Sequence, residues 1–494
     1  MQYQNPIIRG FNPDPSICRV GEDYYLVTST FEFFPGIPVY HSRDLVNWTQ
    51  IGNCIHRPGQ LPMDREDHNE GIWAPVIRYH NGRFYVTSKA KAFGNFIVNA
   101  EDPAGPWSDP VHVNINGIDP DLLFDGDKCY ITTNDRCGSD RESLSMAEVN
   151  PDTGELLSPI RPIWHGMTHW KPKYLEAPHV YHIGDWYYVW GAEGGTGYEH
   201  TITCGRSKDI WGPYENCPWP LLTNVPVGDS GVACAGHGDL LQAADGSWWC
   251  VHLATRPDDA WYSHLGRETF LLPVTWKDEW PVIADGRSHL SWEAPLWAAQ
   301  QPLQPWEADL TRIEDRWLFL RRPDMDNYRC SAEGVTLTPG TARLKDETGS
   351  PTMMLVRPVD ICCRIDAEID FSPAQEGDEA GMIMYISRYG YYTVGVKQID
   401  GRRMITVTRS GGGPVPLPVE APQGRITFRI DAGKECCLFR YAREDGIFHD
   451  AVIRPVFGRT EAGKCFTGTL FGVYAQCERE TTAAARLLRF TMTP

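Results

Sequence analysis

The chain has 494 residues and a formal net charge of −18. That length suits two or three domains, and the acidic balance excludes nucleic acid and anionic membrane surfaces as natural partners. Its 15 cysteines follow no framework spacing, no apolar run is long enough to span a bilayer, and no secretory signal precedes Asn5-Pro6-Ile7, so the expectation is reduced thiols in a cytoplasmic protein acting on a small neutral substrate.

In chain order, one phrase recurs five times: a short apolar run after Pro or Gly, a Gly-containing turn, then an aromatic-rich strand. The first copy is Asp14-Pro15-Ser16-Ile17, Gly21-Glu22-Asp23 and Tyr24-Tyr25-Leu26-Val27. The second is Trp73-Ala74-Pro75-Val76-Ile77, Asn81-Gly82 and Phe84-Tyr85-Val86. The third joins Asp119-Pro120 to Asp125-Gly126-Asp127 and Cys129-Tyr130-Ile131. Glu176-Ala177-Pro178, Gly184-Asp185 and Trp186-Tyr187-Tyr188-Val189 form the fourth. The fifth is His237-Gly238-Asp239-Leu240-Leu241, Asp245-Gly246 and Trp248-Trp249-Cys250-Val251. The anchors Pro15, Pro75, Pro120, Pro178 and Gly238 lie about 60, 45, 58 and 60 residues apart, near or above the spacing of propeller blades. Asn-Gly and Asp-Gly between β-rich runs are hairpin signals. The repeat therefore predicts an all-β fold with a five-bladed β-propeller over 1–298, each blade starting with its innermost strand. Asp14, Asp119, Glu176 and His237 then sit at matching points and face the axis.

Residues 299–314, which begin within the Gln- and Pro-containing run from Trp297 to Trp306, are read as a linker. From 315 to 494 the chain is again β-rich but lacks the phrase. Alternating runs such as Cys363-Arg364-Ile365-Asp366-Ala367 and Met404-Ile405-Thr406-Val407 predict a β-sandwich with one solvated face per sheet. This second domain could bind carbohydrate, mediate oligomer contacts or cover the propeller mouth. The adjacent pairs Cys362-Cys363 and Cys436-Cys437 face opposite sides of a strand and form no chelating clamp.

Three carboxylates gathered by a repeat are costly to hold together and are usually kept for chemistry. Each also fits a plain structural role: a turn residue for Asp14 and Asp119, an acceptor for Glu176. A non-catalytic carbohydrate-binding propeller would not need three acids at inner positions. A kelch-type interaction propeller would lack pocket residues. A retaining glycosidase of the invertase kind would carry Asn-Asp-Pro-Asn-Gly, which does not occur here.

Several segments together resemble glycoside hydrolase family 43, in particular its β-xylosidases and α-L-arabinofuranosidases with a C-terminal sandwich. They are Gly10-Phe11-Asn12-Pro13-Asp14-Pro15-Ser16, Ser29-Thr30-Phe31-Glu32-Phe33-Phe34-Pro35-Gly36, Gly71-Ile72-Trp73-Ala74-Pro75, Glu193-Gly194-Gly195-Thr196, Gly236-His237, Leu265-Gly266-Arg267-Glu268-Thr269 and Cys465-Phe466-Thr467-Gly468. The resemblance implies an inverting exo-glycosidase that removes β-D-xylosyl or α-L-arabinofuranosyl units from short oligosaccharides. By position it implies Asp14 as general base, Glu176 as general acid and Asp119 as the carboxylate that tunes and orients the acid. It implies Phe31, Trp73 and Arg267 as pocket lining and Phe466 as a sandwich residue that helps close the pocket. His237 matches an axial histidine that in some relatives contacts calcium or its water shell; no cofactor is otherwise required. A homo-oligomer is an open option. Such a mechanism needs acid and base about 6.5–9.5 Å apart, with Asp119 raising the pKa of Glu176 by like-charge repulsion and Arg267 keeping Asp14 ionised. Ala177 and Asp121, and the segment from Arg57 to Glu70, depart from close relatives and bear on the sugar preferred.

Overall fold

The computed structural model describes residues 1–135, 142–167, 174–226, 231–257, 263–294, 298–442, 445–457 and 466–494. Cys465 lies outside them. Among the described residues the helical content is one 3-10 turn, Met325–Asn327; no helix is long and apolar enough to cross a membrane.

Five antiparallel sheets of at least four strands fill the N-terminal part. Their first strands are Ser16–Val20, Val76–His80, Asp121–Asp125, Glu176–Ile183 and Ala233–Gln242. These five neighbour one another in cyclic order, the fifth returning to the first. The sheets are therefore blades around an axis, as the repeated phrase predicts. Turn chemistry sets the hairpins. Asn81 and Gly82 both have positive φ (+46° and +83°) between paired His80 and Arg83, the type I′ pattern. Gly21, Gly126 and Gly184 each open a two-residue loop with positive φ at the first position alone, the type II′ pattern that glycine favours. The N-terminus closes the ring: Gln2–Gln4 pairs with Ser291–Glu293, and the N–H groups of Ile7 and Ile8 donate to the Thr269 carbonyl of the last blade at 2.9 and 3.3 Å.

The C-terminal part is two packed sheets of eight and six strands, with one large apolar core between them. Strand Cys363–Phe371 alternates between buried and more exposed positions, as one solvated face requires. Strand Glu379–Ser387 does not: all nine residues are buried. Met382, Met384 and Ile386 enter the sandwich core, whereas Ile383 and Tyr385 join Phe11, Phe31 and Phe33 of the propeller in a second cluster. The expected solvated face of this sheet is thus covered by blade 1. Strand Phe33–Phe34 also pairs directly with Phe319–Leu320. Within the segment read as a linker, Trp306–Glu307 is a strand paired with Met492 and Thr491 of the last sandwich strand. Every described cysteine is a free thiol; Cys362 and Cys436 are exposed while their neighbours Cys363 and Cys437 are buried.

Candidate active site

Asp14, Asp119, Ala177 and His237 share a left-handed backbone, with φ of +54°, +53°, +51° and +48°. Each immediately precedes its blade's anchor, Pro15, Pro120, Pro178 or Gly238. A left-handed non-glycine residue costs on the order of 1–3 kcal/mol and persists where surrounding structure over-determines it. This shared strain identifies the equivalent points of four inner strands. It also corrects the sequence reading of Glu176: the residue level with Asp14 and Asp119 is Ala177, and Glu176 stands one position earlier. A register shift between Glu176 and His179 in the pairing with the next strand accommodates the offset.

Asp14 is buried and met by donors on both oxygens. Ser29 Oγ donates to Oδ2 at 2.6 Å, and Arg267 Nη1 donates to Oδ1 at 2.7 Å. Asp119 accepts the Ala177 N–H at 3.2 Å, which ties blade 3 to blade 4 beside Glu176. Burial pushes the Asp119 carboxyl well up, with further push from the negative charges of Glu176 and Asp14. Burial, then Glu142, then Asp14 push Glu176 up to about 7, against the lowering pull of Arg267. The three carboxylates are therefore close enough to feel one another's charge. The source of the Glu176 shift differs from expectation. After burial, the charges that raise Glu176 are those of Glu142 and then Asp14, not that of Asp119, whereas the charge of Glu176 is among those that raise Asp119.

Around these acids stand the predicted pocket residues. Arg267 Nη1 also donates to Thr196 Oγ1 at 3.1 Å, and Nη2 to the Phe466 carbonyl at 3.0 Å. Its guanidinium lies 5.5 Å from the ring centroids of both Phe31 and Phe466, whose rings are 5.9 Å apart. Phe31, itself left-handed at +52°, exchanges hydrogen bonds of 2.8 and 2.9 Å with Ile72, placing it beside Trp73. The Trp73 indole donates to the Asn69 carbonyl at 3.0 Å. Asn69 Oδ1 in turn accepts the Phe466 N–H at 2.5 Å. Phe466 is 40% exposed: it reaches Arg267 and Phe31 from the sandwich, and two propeller residues hold its backbone.

His237 is buried, with Nδ1 3.6 Å from Asp14 Oδ1. Burial outweighs the pull of Asp14 and holds its imidazole neutral, down to about 3. Among the described residues no group of three or more His, Cys, Asp and Glu is arranged to hold a metal, and Asp14 is already engaged by Arg267 and Ser29. Calcium takes six to eight oxygen ligands, so the protein side chains near His237 do not fit a calcium cage.

Several site residues escaped the sequence reading. Ser29, which donates to Asp14, and Thr196, which accepts from Arg267, belong to motif segments but have no chemistry that marks them in the sequence. Lys89, whose ammonium is 5.7 Å from the Trp73 ring and donates to the Gly117 carbonyl at 2.8 Å, feels the charge of Asp119. Glu142 accepts the N–H of Leu175, the residue before Glu176, at 3.1 Å; no sequence signal marks it. Glu193, prominent in its segment, is a buried structural acceptor for the Met167 N–H and the Thr203 hydroxyl.

Comparison with known proteins agrees with this architecture. Residues 3–281 match the model for glycosyl hydrolases family 43, and 309–493 match a β-xylosidase C-terminal concanavalin A-like domain. A non-reducing end α-L-arabinofuranosidase of Bacteroides ovatus is 37% identical, over 96% of this chain and 91% of its own. A β-xylosidase of Bacillus subtilis is 39% identical over 71% and 67%. Among solved structures, a Bacteroides ovatus family 43 protein of a xyloglucan locus superposes with a TM-score of 0.93 at 35% identity, covering 100% of both chains. A xylan β-1,4-xylosidase of Bacillus halodurans does so at 0.89 and 29%, covering 99% and 100%. With both parts matched and the similarity running end to end, the chain belongs to glycoside hydrolase family 43 and is a glycoside hydrolase.

Proposed function

We propose that the protein is an inverting exo-glycosidase that releases terminal β-D-xylosyl or α-L-arabinofuranosyl units from short oligosaccharides. The observation that carries this reading is the contrast between two carboxyl environments. Asp14 is ion-paired with Arg267, whereas Glu176 is pushed up to about 7 by burial and by the charges of Glu142 and Asp14. A base must be ionised and an acid protonated at the same pH, and such a split supplies both. Asp14 takes a proton from water on one face of the ring while Glu176 delivers one to the departing glycosidic oxygen. Asp119 accepts the Ala177 N–H and so holds the backbone beside the acid. Phe31, Trp73 and Phe466 offer apolar faces to a sugar ring. Both sugars appear in the names of similar proteins, an arabinofuranosidase and β-xylosidases, and dual activity is the form we favour. The free thiols suit a reducing compartment, where the substrates would be short imported sugars.

The test is a panel of aryl glycosides (β-xyloside, α-L-arabinofuranoside, arabinopyranoside, galactoside), with proton NMR of the first-formed sugar. Turnover of the first two, with anomeric inversion, is expected. Release with retained configuration would overturn the mechanism. Binding of xylose or arabinose without turnover of any glycoside would support a carbohydrate-binding propeller instead.

A further inference from the structure

One arginine joins all five inner strands close to the carboxylates. Its side-chain partners stand two residues beyond the left-handed positions: Ser16 after Asp14, Asp121 after Asp119, His179 after Ala177 and Asp239 after His237. Arg78, on the inner strand of blade 2, bonds to every one of them. Its Nη2 donates to Asp121 Oδ1 at 2.7 Å and to His179 Nδ1 at 3.1 Å, and its Nη1 donates to Asp239 Oδ2 at 2.8 Å and to Ser16 Oγ at 3.2 Å. Nη1 also donates to the Ile77 carbonyl at 2.9 Å, and Nε to the Leu122 carbonyl at 3.2 Å.

The acceptors are themselves tied to the neighbouring strands. Asp121 accepts the Val180 N–H at 2.8 Å. Asp239 accepts the Ser16 hydroxyl at 2.6 Å, the Ile17 N–H at 3.0 Å and the Tyr181 hydroxyl at 2.7 Å. The side chains of Asp121 and Asp239 are 1% and 0% exposed. A buried charge set of this kind is weak evidence for stability, because desolvation offsets much of the attraction. Its clear physical effect is geometric. A planar fork with five donors accepts one arrangement of its partners, and those partners each sit two residues from a strained site position.

We propose that Arg78 is a positioning residue for the hydrolytic reaction. By clasping Ser16, Asp121, His179 and Asp239 it sets the angular and axial spacing of Asp14, Asp119 and Glu176, and with it the gap in which water and the leaving oxygen must both fit. This rests on the roles proposed above for those three acids. It requires that loss of the fork lower turnover more than substrate affinity, because the groups that line the sugar pocket stay in place while the acid–base spacing drifts. A drift of about 1 Å in such a site costs on the order of 10²-fold in rate.

The experiment compares wild type with Arg78→Lys, which keeps the charge and loses the fork, and with Arg78→Met combined with Asp121→Asn, which removes one charge of each sign. Near-UV circular dichroism and thermal unfolding establish which variants are folded. Steady-state kinetics on the best aryl glycoside then separate kcat from KM, and calorimetry measures binding of the free product sugar. Expected for any folded variant is a kcat lower by at least tenfold, with KM and product affinity within about threefold of wild type. A folded Arg78→Lys with wild-type kcat would overturn the proposal, as would equal losses in kcat and product affinity. Should Arg78→Lys not fold, the charge-balanced double variant decides by the same criteria; failure of both to fold would assign Arg78 to folding and overturn the positioning role. Absence of wild-type turnover would instead refute the functional reading on which this one stands.

Discussion

Replacing Glu142 with Gln is the sharpest probe of how the acid acquires its protonation. Glu142 Oε2 accepts the Leu175 N–H at 3.1 Å, and glutamine retains a carbonyl oxygen for that bond while losing the charge. Glu176 is pushed from 4.5 to about 7, with burial as the leading cause and Glu142 next. As the second of three causes that raise the group, Glu142 supplies less than half of the upward push, part of which Arg267 cancels, so its neutralisation should lower the acid by roughly 0.5–1 pH unit. The sign follows from the role. The acid works protonated, and the alkaline limb of kcat/KM reports its pKa in the free enzyme. Wild type should therefore show an alkaline limb near pH 7, and Glu142→Gln a limb near 6–6.5 with little change at acidic pH. The assay is kcat/KM for an aryl glycoside between pH 4 and 9, with the leaving phenol quantified after quenching. A limb that stays in place, or moves upward, would refute the assignment of Glu142 as a source of the shift.

Glu176→Ala should lose about 10²–10⁴-fold in kcat on alkyl glycosides or unmodified disaccharides and far less on aryl glycosides with good leaving groups, which depart without a proton; equal losses across leaving groups would remove Glu176 from the acid role. Phe466→Ala should lower kcat/KM roughly tenfold, mainly through KM, as one aromatic wall facing Arg267 disappears, and unchanged kinetics would show that the sandwich does not contribute to the pocket. Burial opposes ionisation of Asp67, but hydrogen bonds from Arg388 and from the His68 N–H and ring outweigh it and lower the group to about 2. A depressed carboxylate stabilises the fold fully above its unfolded pKa near 3.8 and ceases to do so as pH falls through about 2. Arg388 reaches Asp67 from the sandwich at 2.9 and 3.0 Å, so Asp67→Asn should unfold at lower temperature than wild type at pH 6, with the gap closing toward pH 2. A gap independent of pH would show that the ion pair is not its source.

The blades were legible because each hairpin needs its own turn residues, and Gly21, Asn81-Gly82, Gly126 and Gly184 stand where positive φ is required. Asp14 and Asp119 were legible for a related reason: each sits before a proline at the head of an inner strand. Glu176 was found but placed one step off, because the strained position of blade 4 is occupied by Ala177, whose side chain carries no chemical sign of the strain. What the sequence could not show is contact between residues far apart in the chain. Nothing in Arg78 or Glu142 distinguishes them from surface charges until the ring closes around one and Leu175 meets the other. Strand Glu379–Ser387 shows an apolar run, but only the structure divides it between two cores.

That division makes the two parts of the chain a single machine rather than a catalyst with an appendage. A propeller cut free of its partner would present Phe11, Phe31 and Phe33 to solvent and would leave the Arg267 guanidinium without the Phe466 carbonyl that steadies it. Swapping the C-terminal part between related enzymes would therefore exchange the residue that packs on Arg267 and Phe31, and engineered chimeras would have to match that seam to keep Arg267 in place beside Asp14.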